Sequence, residues 1–313
     1  LEPSSRSISE EAWHAIVRLH IENGVPPLLR FLPVLAAALI FSVPCSSTAQ
    51  IKAKPDHFTG QQSCASSGCH GGGVGKDQFV IWQKKDAHSR AHAILGNARS
   101  RKMADSLGIE DPTKHASCTV CHSPMEAVPA TLLAPGVTAD KGVSCETCHG
   151  PAERYLRFHT RTDITHAQRI TSGLREVKDL YGRANACVAC HLNLDAEILA
   201  AGHPEMFFEL DGQMKSQPPH WTDEGAWFGP KAWLTGQAAA LRELSWKLSL
   251  GSQDATLPAR WEALIWLLRQ TSDGAKQLPG SGKLEYSVIQ SAADRLARIG
   301  SRREWSEAST RET

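Results

Sequence analysis

The chain has 313 residues, with 34 lysines and arginines against 33 aspartates and glutamates, so its formal net charge is +1. This balance excludes a nucleic-acid-binding protein that depends on bulk positive charge, and we expect no DNA or RNA partner. Apolar residues make up 41% and charged residues 21% of the chain, which excludes intrinsic disorder and a multispanning membrane protein.

The first element along the chain is an apolar run, FLPVLAAALIFSVP, over residues 31–44. It is short for a membrane-spanning helix but matches the apolar core of a secretory signal peptide, with small residues before a cleavage at Gln50. We therefore predict that residues 1–49 are an N-terminal extension with a signal peptide and that the mature protein is periplasmic. Lipoprotein anchoring through Cys45 is not expected, because Pro44 is a poor match to the small residue that such a site needs.

Eight of the nine cysteines form four closely spaced pairs, and a histidine directly follows each pair. In chain order these motifs 1 to 4 read CASSGCH, CTVCH, CETCH and CVACH. At this histidine content, a histidine follows a given cysteine by chance in about one case in twenty, so four matches are not accidental. C-x-x-C-H attaches c-type haem through two thiols, and its histidine binds the iron. Motif 1 has a longer spacer and requires a local bulge.

The motifs therefore predict four covalently bound c-type haems. The predicted haem-bonding cysteines are Cys64, Cys69, Cys118, Cys121, Cys145, Cys148, Cys187 and Cys190, and the predicted proximal iron ligands are His70, His122, His149 and His191.

Other uses of paired cysteines fit the sequence less well. Four disulfides would need strained loops between cysteines three positions apart, and two four-cysteine zinc sites would leave the following histidines unexplained. A redox dithiol would need one such pair beside a βαβ pattern. The HxxxH spacing of His88 and His92 is typical of helical zinc sites, but it lacks the flanking glutamate.

Between the motifs, the best candidate for a strand is Phe79–Trp82. Apolar residues at helical spacing predict a helix over Ala87–Leu107, which would place His88 and His92 on one face, and another over Asp195–Ala201.

We predict a mainly α fold with many loops and few strands. Residues 50–221 are too few to bury four haems behind separate apolar cores, so the haems are expected to form the core of this domain. Residues 222–313 contain neither cysteine nor histidine and form the predicted helical C-terminal region without haem. Its amphipathic runs are Trp233–Leu250, Pro258–Gln270 and Leu284–Ile299, the last with a stripe of Leu284, Val288, Ala292, Leu296 and Ile299.

The order of these segments resembles the cytochrome c-554-type multihaem family over residues 64–221. GVSCETCHGP at residues 142–151 and AAGHP at residues 200–204 carry the most specific part of the resemblance. It implies an exported bacterial electron carrier whose haems stack closely and whose distal iron ligands come from histidines outside the motifs. The family also includes a member type with one five-coordinate haem.

Each iron has a second axial position, and histidine is the expected ligand because the chain has only four methionines. The resemblance implies His88, His159 and His203 as distal ligands. The fourth position stays open between His220, His115 and His92.

These features predict single-electron transfer between a redox donor and a redox acceptor, with a membrane quinol-oxidising protein as a candidate partner. The alternative is a reductase of a small nitrogen oxide or related species at one five-coordinate haem, where His92 or Arg90 would replace the missing ligand; no catalytic residue is assigned. A charged run near motif 1 is expected to be solvated surface that a partner could use for docking. It comprises Lys76, Asp77, Lys84, Lys85 and Asp86.

Overall fold

The computed structural model describes residues 56–222, 225, 227–280 and 284–311. The predicted signal peptide and Cys45 lie outside these residues. Within the described ranges, no helix is both long enough and apolar enough to cross a membrane.

Short helices joined by turns carry the four motifs. They are α1 (Gln78–Lys85), α2 (Ala91–Leu95), α3 (Ala98–Ser106), α4 (Ala116–His122), α5 (Cys145–His149), α6 (Tyr155–Phe158), α7 (His166–Thr171), α8 (Leu180–His191), α9 (Ala196–Ala200) and α10 (Leu210–Ser216). Short 3-10 helices lie at Gln61–Cys64, Ala87–Arg90, Pro124–Ala127, Ala130–Leu132 and Ala139–Lys141. In the described part of the chain, the extended pairing is an isolated parallel bridge between Phe58 and Leu133. The prediction of a mainly helical fold with few strands is confirmed.

The strand predicted at Phe79–Trp82 is wrong, because these residues lie in α1. Phe79 and Trp82 are both 8% exposed, and their spacing of three residues places them on one side of a helix. The indole nitrogen of Trp82 donates a hydrogen bond of 2.9 Å to the carbonyl of Val143. The apolar run is therefore the buried face of a helix that packs against the segment leading to motif 3.

The single helix predicted over Ala87–Leu107 is divided into a 3-10 turn and the helices α2 and α3. The break falls at Gly96 and Asn97, where the Asn97 side chain accepts a hydrogen bond of 2.8 Å from the backbone of Ser100 and caps α3. His88 lies in the 3-10 turn and His92 in α2. The two histidines therefore do not lie on one helix face as predicted.

The C-terminal region consists of α11 (Phe228–Ser249), α12 (Leu257–Arg269), α13 (Ser272–Gln277), α14 (Tyr286–Arg302) and α15 (Glu307–Arg311). The three predicted amphipathic runs are helices in the structure. Their shared core is apolar and includes the completely buried Leu241, Leu268 and Leu296. At its centre the indole of Trp261 donates a hydrogen bond of 2.8 Å to the Ser245 hydroxyl, whereas Trp266 is 65% exposed.

The buried stripe of α14 keeps Ala292 and Leu296 of the predicted stripe but departs from it at Val288. Val288 is 50% exposed, whereas its neighbour Ile289 is completely buried. A strict spacing of four residues rotates around a helix of 3.6 residues per turn, so the predicted stripe leaves the core at one end. Spacings of three and four alternate along the observed stripe, which consists of Ile289, Ala292, Ala293, Leu296, Ala297 and Gly300.

The C-terminal helices pack directly against the helix that ends in motif 4. On α8, Leu180, Ala184 and Val188 recur every four residues and are buried. They share an apolar cluster with small residues of α11, among them Ala239 and Ala240. Small side chains allow the two helices to approach closely, and α8 is thereby fixed by a conventional apolar core.

The corrected stripe predicts opposite results for two neighbouring substitutions. Ile289→Ala should lower the free energy of unfolding by about 2–5 kcal/mol, because it opens a cavity in the core. Val288→Ala, the matched control, should change it by less than about 0.5 kcal/mol. Far-ultraviolet circular dichroism of the purified protein during urea unfolding measures both. A larger loss of unfolding free energy for Val288→Ala than for Ile289→Ala would support the stripe predicted from sequence.

Candidate haem-binding site

Each motif histidine stands opposite one histidine from another part of the chain. The ring centroids are 6.1 Å apart for His70 and His159, 6.2 Å for His88 and His191, 6.2 Å for His122 and His203, and 6.4 Å for His149 and His220. No histidine belongs to two pairs. Every motif is therefore matched with its own second imidazole.

The separation of the paired rings fits two ligands of one metal ion. Metal–imidazole bonds are about 2 Å long, so rings that bind one ion from opposite sides have centroids about 6 Å apart. Imidazoles in direct stacking contact lie closer together. The donor set of two imidazoles and two nearby thiols is also the one that a covalently attached haem requires.

Hydrogen bonds fix which ring nitrogen is free. Six of the eight paired rings have a polar contact at Nδ1. In five of them the partner is an oxygen that accepts the Nδ1 proton and leaves Nε2 available to bind iron, whereas the partner of His191 is an amide nitrogen. The contacts are His70 with Gln78 Oε1 (3.0 Å), His88 with Asp86 Oδ1 (2.9 Å), His122 with Ala91 O (2.9 Å), His159 with Tyr155 O (2.8 Å), His191 with the Gln213 amide (3.0 Å) and His203 with Pro204 O (2.8 Å).

Burial favours the neutral form of several paired rings. It lowers the pKa of His149 and of His191 to about 4, and it also lowers the pKa of His122 and His220. Neutral imidazole is the form that binds a metal ion. These four rings are therefore ready for ligation at neutral pH.

The other described histidines are engaged elsewhere. Nε2 of His92 contacts the carbonyl of Thr113 at 3.3 Å. His115 precedes α4 as its N-cap, and its Nδ1 accepts a hydrogen bond of 3.3 Å from the backbone of Ser117. Two more bind carboxylates: His57 with Glu153 at 2.7 Å and His166 with Glu176 at 2.5 Å. Of the three candidates for the open distal position, only His220 stands opposite a motif histidine.

Turns with fixed geometry present the second histidines to the motifs. Gly202, immediately before His203, has a φ of 104°, a conformation that favours glycine. The carbonyl of Gly202 also accepts a hydrogen bond of 2.6 Å from the Arg99 guanidinium. His220 follows two prolines, and its ring packs edge-on against Trp221 with centroids 5.0 Å apart.

The longer spacer of motif 1 closes into a loop. The backbone N–H of His70 donates a hydrogen bond of 3.1 Å to the carbonyl of Cys64, so the chain returns to its starting point. A Cβ on Gly71 would lie 1.9 Å from the carbonyl oxygen of Ala65. Only glycine fits there, and the four-residue spacer still brings both cysteines and the histidine together.

All eight motif cysteines are free thiols, and burial raises the pKa of Cys187 to about 12. Such thiols are poor nucleophiles for disulfide exchange. Across the described ranges, no three histidine, cysteine or carboxylate side chains cluster as a metal site would require. Within these ranges the zinc interpretation therefore has no geometric support.

The cysteines also show which motifs are neighbours. The Cys64 thiol is within hydrogen-bonding distance of the Cys145 thiol, which places motif 1 beside motif 3. The Cys121 and Cys190 thiols form a second such contact, which places motif 2 beside motif 4.

A void of about 1180 Å³, open to solvent at its mouth, separates the rings of motifs 1 and 3 from their partners. Its polar lining includes His70, His149, His159 and His220, and its apolar lining includes Phe79, Trp82, Leu156 and Leu174. Apolar walls with imidazoles on opposite sides match the shape and chemistry of a porphyrin ligated on both faces.

Glu146, inside motif 3, is 1% exposed and holds the start of motif 1 in place. Its carboxylate accepts hydrogen bonds from the backbone of Thr59 (2.9 Å), Gly60 (2.6 Å) and Ala152 (2.7 Å). Sequence reasoning missed this residue, because a glutamate between two cysteines carries no signal that it is buried.

The charged run near motif 1 divides into exposed and buried members. Lys76, Lys84 and Lys85 are exposed as expected, but Asp86 is 2% exposed, so its place on a docking surface is wrong. Burial alone would raise the pKa of Asp86, yet hydrogen bonds from His88 and Gln217 outweigh that effect and hold it at about 2. The carboxylate is therefore ionised at neutral pH.

The family model of cytochrome c554 and c-prime matches residues 48–150. The match covers about a third of the chain, and this part is similar to that family. The match covers motifs 1 to 3 and ends directly after His149, so the resemblance inferred from the sequence is confirmed there. No curated protein and no solved structure matches the chain.

Removal of the Glu146 carboxylate should loosen the contact between motifs 1 and 3. Glu146→Ala leaves three buried backbone donors without an acceptor, and we expect a loss of about 3 kcal/mol or more in the free energy of unfolding. The exposed Glu126 provides the control, and Glu126→Ala should change stability by less than about 0.5 kcal/mol. Urea denaturation measures both, and equal stability of the two variants would contradict the role of this carboxylate.

Proposed function

We propose that this chain is an exported tetrahaem cytochrome that transfers single electrons between redox proteins of the periplasm. The match over residues 48–150 supports an electron-transfer cytochrome with covalently bound c-type haem. The observation that carries the finer proposal is the one-to-one pairing of four motif histidines with four other histidines, at centroid separations of 6.1–6.4 Å.

The chain's own residues divide the work of holding each group. In every motif the two thiols would hold the porphyrin covalently, and the motif histidine and its partner histidine would bind the iron. Bound haem supplies a one-electron ferric–ferrous couple. Oxygen acceptors at Nδ1 keep the imidazoles of His70, His88, His122, His159 and His203 oriented. Rigid ligation of this kind keeps the geometry unchanged between oxidation states, as a carrier requires.

The neighbour relations of the motifs support a continuous path. Motif 1 lies beside motif 3, and motif 2 lies beside motif 4, through their cysteine contacts. Asp86 contacts His88, the partner of His191, and Gln217, which lies three residues before His220, so this carboxylate links motifs 4 and 3. We infer the order 1, 3, 4, 2 for electron transfer through the protein.

The alternative of a reductase with one open iron receives less support. Each of the four motif histidines has a partner ring, and His92, which was assigned to an open distal side, bonds to Thr113 instead. Arg90 is exposed. The ligand pattern of a carrier thus accounts for more of the described histidines than that of a catalyst.

The compartment and the partners follow from the sequence pattern and the surface. The apolar core at residues 31–44 supports export. Exposed Lys76, Lys84 and Lys85 follow motif 1 in sequence, and they would steer an acidic redox partner through charge that salt screens.

Alanine substitution of His220 and of His115 tests which of these two histidines is the fourth distal ligand. His220→Ala should leave one haem in four five-coordinate, so that the oxidised protein gains a high-spin signal and the reduced protein binds carbon monoxide. His115→Ala is the matched control, since His115 was an equal candidate from sequence and should leave every haem low-spin. Optical and paramagnetic resonance spectra of the holoproteins measure this. Carbon monoxide binding by the wild-type protein would contradict the assignment of His220 as a distal ligand. Binding by His115→Ala but not by His220→Ala would contradict it as well.

A further inference from the structure

Asp86 differs from the other groups that contact the paired histidines. Among the eight paired rings, the other Nδ1 contacts are to neutral carbonyl or amide groups, whereas His88 donates to a carboxylate at 2.9 Å. The same Asp86 oxygen accepts a hydrogen bond of 3.0 Å from the backbone of His88. This side chain therefore fixes both the turn that carries His88 and the ring itself.

The other oxygen of Asp86 is also occupied. It accepts a hydrogen bond of 2.8 Å from the Gln217 amide, three residues before His220. The carboxylate thus joins the segments that supply second histidines to motifs 3 and 4.

No lysine or arginine of the described ranges balances this charge. The ion-pair contact of Asp86 is with the His88 ring, and its side chain is nearly inaccessible to water. A buried anion without a cation favours nearby positive charge strongly, because the low dielectric of the interior weakens screening. A carboxylate that accepts the Nδ1 proton also makes the imidazole a stronger electron donor to its metal.

We propose that Asp86 is a positioning residue that gives the haem between His88 and His191 the lowest reduction potential of the four. The inference rests on the proposed function. Both effects of the carboxylate stabilise ferric over ferrous iron, since the oxidised site carries one more positive charge. Motif 4 lies between motifs 3 and 2 in the inferred order. A haem of low reduction potential at motif 4 would be the least readily reduced one in the path, so electrons would reside mainly on the haems of the other motifs.

Redox titration of the holoprotein and of Asp86→Asn tests this inference. Asparagine is an equally good N-cap and its amide oxygen still accepts the Nδ1 proton, so the variant removes the charge and keeps the turn. We expect the ferric-to-ferrous ratio of the lowest-potential haem to fall about tenfold at a given potential, which corresponds to a rise of about 59 mV in its midpoint. The haem of motif 3 should shift in the same direction by less.

Two further variants separate charge from structure. Asp105→Asn removes an exposed carboxylate and should leave all four midpoints unchanged. Gln78→Glu places a carboxylate beside Nδ1 of His70, which the glutamine oxygen contacts at 3.0 Å in the wild-type protein. This variant should lower the midpoint of the haem that His70 binds.

If Asp86→Asn fails to assemble, Gln217→Leu is measured instead. It frees the Asp86 carboxylate from its second donor and should lower the potential of the haem that His88 binds.

The outcomes also distinguish this inference from the proposed function. Four low-spin haems with a lowest midpoint that moves no more in Asp86→Asn than in Asp105→Asn would overturn the role of Asp86 and leave the carrier intact. An unchanged or raised lowest midpoint in Gln217→Leu would overturn it as well. Fewer than four haems, or a high-spin haem in the wild-type protein, would contradict the carrier itself.

Discussion

The proposed function sets one constraint on the structure: each motif must bring two imidazoles to opposite sides of a space that one iron and its porphyrin would fill. Four separations within 6.1–6.4 Å satisfy it. Most other features of the haem-motif region serve this spacing. Three features hold backbone that has few apolar contacts of its own. They are the loop of motif 1, the glycine turn before His203 and the hydrogen bonds that the Glu146 carboxylate accepts from the backbone. A region of short helices and turns can keep such geometry only when polar contacts and bound rings replace a large apolar core.

The C-terminal helices supply the conventional core that the haem-motif region lacks. Completely buried leucines on α11, α12 and α14 pack together, and α11 extends this packing to α8 through small side chains. Polar contacts continue the connection: the Tyr181 hydroxyl of α8 donates a hydrogen bond of 2.7 Å to Asp294 of α14. Motif 4 ends α8, so its histidine sits on the best-anchored helix of the site. We infer that these helices serve to stabilise the last motif.

The motifs, the helical class and most of the histidine ligand set could be predicted from sequence, because covalent haem attachment needs fixed residue types at fixed spacing. Pairing could not, since His220 and His149 are distant in the chain and only folding brings them together. The predictions of a strand at Phe79–Trp82 and of a buried stripe through Val288 were wrong, because a short apolar run does not specify which of its residues will share a buried face. The burial of Asp86 and Glu146 could not be predicted for a related reason: the sequence around a carboxylate does not indicate burial, and each is buried only because folding supplies its hydrogen-bond donors.

Paramagnetic resonance of the oxidised holoprotein, with spins counted against total haem, tests the account most directly. The rings of His70 and His159 lie within 12° of parallel, whereas those of the other pairs are inclined by 67–71°. Parallel imidazole planes give a rhombic low-spin spectrum, and steeply inclined planes give a broad signal with one very large g value. The account predicts four low-spin haems per chain, one rhombic and three of the inclined type, with no high-spin signal. A high-spin signal from one haem in four, or fewer than four haems per chain, would contradict it.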